Sequence, residues 1–107
     1  MTGASGLIGR ELCARLTKAN HTVVALVRNV SKSSSLLVQD VVAWEALSGP
    51  PEVKVLDGCD AVVHLAGEPV AAGRWTPRRK ELIRDSRVLG TKNLVKALSL
   101  CKMPPKV

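Results

Sequence analysis

A chain of 107 residues has room for one small domain and not for two. With 46% hydrophobic and 23% charged residues the balance is that of a globular protein, which excludes disordered and fibrous chains. The formal net charge of +7 raises the question of nucleic acid. The excess, however, is concentrated between Arg74 and Lys92, where seven basic residues face only Glu81 and Asp85. Trp75 is the one aromatic residue there, and no zinc-finger or RNA-recognition pattern is present. Basic residues carried on a helix in this way form a solvated face, so nucleic acid is not expected as a partner.

Val, Leu and Ala dominate the apolar set, with two Trp and neither Phe nor Tyr. That composition suits buried parallel strands covered by helices. Cys13, Cys59 and Cys101 lack metal-ligand or redox-motif spacing, and are read as buried thiols in a reducing compartment. No signal peptide and no apolar run of membrane-spanning length is present. An intracellular location is therefore expected: the cytoplasm, or a mitochondrion or plastid if a targeting segment precedes Met1.

Taken in order, residues 2–6 form a glycine-rich turn, and 7–19 follow as an amphipathic helix. Its apolar positions are Leu7, Ile8, Leu12, Cys13 and Leu16. Asn20 and His21 mark a stop, with His21 idle in the turn. Thr22–Val27 is an apolar run of strand length ending at Arg28. Residues 29–37 read as an exposed loop, Val41–Trp44 as a short strand, and 48–57, with two prolines, as an irregular connection. Ala61–Ala66 is a further buried strand closed by Gly67, with His64 as a satisfied core or half-buried histidine. Thr76 caps a helix that begins at Pro77 and continues, with a possible break, to Leu100. Its apolar stripe is Leu82, Ile83, Val88, Leu89, Leu94, Val95 and Leu98. Pro104 and Pro105 end it, and Lys106–Val107 look like the entry to another strand.

Alternating strands and helices indicate an α/β chain with a doubly wound parallel sheet. Its chemistry begins at Thr2-Gly3-Ala4-Ser5-Gly6-Leu7-Ile8-Gly9, a TGxxGxxG pattern. Gly3 permits a tight turn, Gly6 lets backbone approach a pyrophosphate, and Gly9 lets the helix pack closely on the sheet. The helix that follows aims free amides and a positive dipole end at phosphate. A strand–turn–helix context of this kind is what a Rossmann dinucleotide-binding unit requires. Arg28 stands where an acidic residue would accept from the 2′-hydroxyl of NAD. An arginine there, followed by Asn29, suits the 2′-phosphate of NADP(H).

TGASGLIG, then VVHLAGE at 62–68, then GRWTPRRKELIRDSRVLGTKNLV at 73–95 resemble the extended short-chain dehydrogenase/reductase superfamily. More narrowly, they resemble its atypical branch of SulA-like (YfcH-type), NAD-dependent-epimerase-like proteins. The resemblance covers essentially the whole chain. It implies that Leu65, Ala66 and Gly67 line the cofactor, with Glu68 at the rim of the cleft. It further implies that Trp75, Ser86 and Arg87 shape the pocket and that Gly90 permits close helix packing. Read from the residues alone, Trp75 is a packing anchor and Arg87 a surface charge.

Catalysis in that superfamily uses a Tyr and a Lys four residues later, and this chain has no Tyr. No catalytic residue is therefore assigned, and no metal ligand. The expected cofactor-binding set is Thr2, Gly3, Ser5, Gly6, Leu7, Ile8, Gly9, Arg28, Asn29, Leu65, Ala66, Gly67 and Glu68. Residues 1–107 are expected to form a partial NADP(H)-binding Rossmann domain without its first strand and its C-terminal part. The complete protein would be an NADP(H)-dependent epimerase or reductase acting on a small molecule. The alternative is a non-catalytic structural or regulatory subunit that binds NADP(H) for stability.

Overall fold

The structure, a computed structural model, describes residues 1–107. Helix α1 spans Leu7–Lys18, strand β1 Val24–Val27, strand β2 Asp40–Ala43, helix α2 Val53–Leu56 and helix α3 Pro77–Leu98. β1 and β2 pair in parallel, with Val24 opposite Asp40 and Val27 opposite Ala43. On the other side of β1, Thr2 forms parallel bridges to both Leu26 and His64. The Leu26 amide donates to the Met1 carbonyl at 2.8 Å, and the Thr2 amide to the Val63 carbonyl at 2.9 Å. Beyond that segment, the Val62 amide donates to the Val107 carbonyl at 2.8 Å. The lateral order is therefore β2, β1, Met1–Thr2, residues 62–65, then Val107. Met1 and Thr2 hold the central position, so the turn that follows opens at the middle of the sheet.

The side chains of β1 decide where the helices go. Ala25 and Val27 join Ala4, Cys13, Val23 and Leu36 in one buried cluster, which contains α1. Leu26 points the other way and joins Trp44, Leu56, Leu94 and Ala97, which contains α2 and α3. A strand buried on both faces must be apolar at every position, as Val-Ala-Leu-Val is. Helices cover both faces, and the chain is a doubly wound, Rossmann-like α/β fold.

α1 ends in a Schellman arrangement. Asn20 adopts φ +63, its amide donates to the Thr17 carbonyl at 3.0 Å, and the His21 amide donates to Leu16 at 2.9 Å. His21 thus sits in the turn, as expected. Thr76 caps α3 as expected, its side chain accepting from the Arg79 amide at 3.2 Å, with Pro77 at the first position.

Several local expectations are corrected. Leu7 and Ile8 are 90% and 69% exposed, and the buried residues of α1 are Gly9 and Cys13. Residues 29–37 are not simply an exposed loop: Ser33 and Leu36 are buried, and Val30–Lys32 form a 3₁₀ turn. The second strand lies one residue earlier than 41–44. The connection at 48–57 contains α2, a single turn nailed down by buried Leu56. α3 runs without a break and stops at Leu98. Its buried stripe is Gly90, Leu94 and Ala97, whereas Leu82, Val88, Leu89 and Val95 are exposed. Leu94 and Ala97 pack with Leu26, Trp44 and Leu56, and at Gly90 α3 comes close to the segment after β2. A Cβ added at Gly90 would lie 3.3 Å from the Ala46 Cβ, which bears out the reading of Gly90 as a close-packing position. Cys13 is buried but Cys59 and Cys101 are only half-buried. No helix is long and apolar enough to cross a membrane.

Candidate functional site

The glycine-rich turn reaches across to the segment that follows residues 62–64. Gly3 sits at φ +68, and a Cβ there would meet the Leu65 carbonyl carbon at 2.6 Å and the Ala66 nitrogen at 2.8 Å. Gly9 faces the Gly3 carbonyl and Ala4 Cα so closely that a Cβ would overlap both. The Gly6 amide donates to the Gly3 carbonyl at 3.0 Å, closing the turn. Two separate chain segments are thus in backbone contact, and only glycine fits between them.

α1 begins at this turn with Gly6 as its N-cap, no side-chain cap and no acidic residue in its first turn. The free amides of its first turn consequently face outward with no carboxylate to compete for them. This is the chemistry that suits an anion such as a pyrophosphate. A cleft of about 330 Å³ opens beside the turn. Its walls are Gly3–Gly6, Leu26–Arg28, Trp44–Leu47, Leu65–Pro69, Leu82 and Ser86. Of the expected binding residues, Gly3, Ser5, Gly6, Arg28, Leu65, Ala66, Gly67 and Glu68 line it directly. Thr2 and Gly9 lie beneath it as supports. Leu7, Ile8 and Asn29 are exposed and outside its wall.

Thr2 is fully buried and its hydroxyl makes two contacts. Oγ1 accepts from the Ala66 amide at 3.1 Å and is hydrogen-bonded to His64 Nδ1 at 2.6 Å. The other ring nitrogen, Nε2, is buried and has no partner. His64 is therefore half-buried, as expected, but not fully satisfied. Its ring stands 6.3 Å from that of Trp44.

Burial pushes the His64 pKa below its ordinary value. The unfolded chain then takes up a proton first as pH falls, so His64 contributes stability above about pH 6.5 that is lost below it. Thermal melts between about pH 7.5 and 5 should show the chain losing stability in that window. His64→Asn, which keeps an acceptor for Thr2, should flatten the profile. An equally steep profile in the variant would contradict this assignment.

The loop at 67–69 is clamped by α3. The Glu68 amide donates to Ser86 Oγ at 2.9 Å, Arg87 Nη1 to the Glu68 carbonyl at 3.1 Å, and Arg79 Nη2 to the Pro69 carbonyl at 2.6 Å. Arg79 also stands 3.9 Å from the Glu68 carboxylate. Arg79 thus turns inward, while Arg87 reaches the same loop from an exposed position, so the basic segment is not a uniformly solvated face. Ser86 lines the cleft and Arg87 braces Gly67 from behind. Trp75 does neither, being 60% exposed and outside the cleft.

The sequence reading missed the wall at Trp44–Leu47. Buried Trp44, whose Nε1 donates to the Gly49 carbonyl at 2.9 Å, begins it. The signal was positional: these residues follow the C-terminal end of a parallel strand, where ligand crevices form in such sheets.

A cleft at the C-terminal edge of a parallel sheet, with a glycine turn and an uncapped helix start, defines a dinucleotide-binding Rossmann-type unit. The sequence pattern of the NAD dependent epimerase/dehydratase family matches residues 1–107. The chain belongs to that family, which implies a nicotinamide dinucleotide as cofactor. It is 38% identical over 99 residues to the epimerase family protein Mb2239 of Mycobacterium bovis, covering 92% of this chain and 31% of that protein. The chloroplastic SDR39U1 homolog of Arabidopsis thaliana is 36% identical over 96 residues, covering 89% of this chain and 27% of that protein. YfhF of Bacillus subtilis is 32% identical over 106 residues, covering 99% and 34%. The chain thus spans about one third of the length of these curated relatives. No solved structure matches it.

Proposed function

We propose that this chain is the cofactor-binding part of an NADP(H)-dependent, epimerase- or reductase-like protein. We place it in the extended short-chain dehydrogenase/reductase class, in the SulA-like branch, in an intracellular compartment. The observation that carries the reading is the contact of Gly3 with Leu65 and Ala66 beside an uncapped helix start. The first-turn amides after Gly6 would hold the pyrophosphate, with Ser5 beside them, and Thr2 and Gly9 would set the turn. Leu65, Ala66 and Gly67 would lie along the nicotinamide half, with Glu68 at the rim. The bound cofactor supplies hydride exchange with a carbonyl or alcohol carbon of a small-molecule substrate. No residue here acts as the proton-transferring tyrosine, since the chain has none.

Arg28 carries the preference for NADP(H). It is exposed on the cleft wall and makes no ion pair, while no acidic residue lies between His21 and Gln39. Arg28→Asp should weaken NADPH binding at least about tenfold, through loss of a charge-assisted contact and added repulsion. NADH binding should be unchanged or tighter. Calorimetric titration with both dinucleotides checks this, and an unchanged NADPH-to-NADH ratio would contradict the assignment.

A further inference from the structure

Arg10 follows Gly9 in the first turns of α1, and its guanidinium ties two segments together. Nε donates to the Ser5 carbonyl at 2.9 Å, and Nη1 donates to Ser35 Oγ at 3.0 Å. Ser5 belongs to the turn, and Ser35 to the loop that leaves Arg28. In the proposed binding mode these two segments flank the adenosine ribose. The loop itself is anchored, because Leu36 is buried against α1 and Thr17 Oγ1 donates to the Leu37 carbonyl at 2.9 Å. Arg15, Arg79 and Arg84 all have carboxylate partners, whereas Arg10 and Arg28 have none. Residues 28–37 contain no acid and carry hydroxyls at Ser31, Ser33, Ser34 and Ser35.

We propose that Arg10 is a second specificity-determining residue, gripping the ribose 2′-phosphate together with Arg28. The proposal rests on the NADP(H) reading above and names a residue that the reading did not include. With Nε and Nη1 already held, the guanidinium plane is oriented before a ligand arrives. Nη2 makes no hydrogen bond to the protein, so it meets a phosphate with little further loss of side-chain freedom. Two cations on two different segments also suit a dianionic phosphate monoester better than one does.

The experiment compares calorimetric titrations with adenosine 2′,5′-bisphosphate and adenosine 5′-monophosphate, which differ only by the 2′-phosphate. Arg10→Gln should weaken the bisphosphate about tenfold while leaving the monophosphate within about twofold. Arg10→Lys should recover part of the loss. Ser35→Ala, which frees the guanidinium but keeps its charge, should cost the bisphosphate a few-fold. Equal weakening of both ligands by Arg10→Gln would make Arg10 a brace for the turn and overturn the proposal. Unchanged bisphosphate binding in Arg10→Gln, with a loss in Arg28→Gln, would overturn the role of Arg10 alone. A wild-type chain that does not distinguish the two ligands would overturn the NADP(H) reading as well.

Discussion

Gly9→Ala is expected to unfold the nucleotide-binding edge of the chain. The added methyl group would overlap the Gly3 carbonyl and lie 2.8 Å from Ala4 Cα. Both are backbone atoms, so no side chain can swing away to make room. Either α1 lifts from the sheet or the turn opens, and each abandons contacts of the α1-side core around Cys13 and Ala25. We expect a loss above about 3 kcal/mol, a large share of a small domain's total stability. Gly3→Ala should be comparably severe, since strain at φ +68 adds to the collision with Leu65. Gly73 provides the control: it has φ +82 but nothing within 4 Å of an added Cβ. Gly73→Ala should therefore cost only about 1 kcal/mol. Thermal melts followed by circular dichroism separate these outcomes, and a Gly9→Ala melt within a few degrees of wild type would refute the close approach.

Thr2→Val is the second large effect expected. The swap keeps the shape of a fully buried side chain and removes only its hydroxyl. Two groups then lose their partner, the Ala66 amide and His64 Nδ1. Each buried polar group left unpaired costs about 1–3 kcal/mol, so a total near 3 kcal/mol is expected. Thr2→Ser should restore most of it. The variant should also weaken NADPH binding, because Ala66 forms part of the cleft wall. A valine variant as stable as wild type would show that the hydroxyl bridge contributes nothing.

Features governed by local chemistry were legible before the structure. The glycine turn, the apolar strand before Arg28, the Asn20 stop and the Thr76–Pro77 start are each specified within a few residues. What was not legible depends on partners distant in sequence. The wide scatter of apolar residues on α3 could not reveal that Gly90, Leu94 and Ala97 form the buried stripe. That choice is made by the approach of Ala46 at Gly90 and by Leu26, Trp44 and Leu56 at Leu94 and Ala97. α2 has only four residues and follows two prolines, so it is held by tertiary packing, with Leu56 buried and Val53 and Val55 against the same cluster. Arg79 looks like surface charge until the 67–69 loop is placed beside α3, whereas Arg87 stays exposed while it bonds the Glu68 carbonyl. The cleft followed the same division: its turn was visible, while its far wall at Trp44–Leu47 was not.

The most direct test of the central claim is to follow backbone amide resonances of the chain during titration with NADPH. The account predicts that the largest shifts fall on residues 3–9, on Arg28 and Asn29, and on residues 65–68, saturating together. Shifts confined to the outer face of α3, or saturating NADPH with no change at Gly3, Gly6 and Ala66, would contradict it.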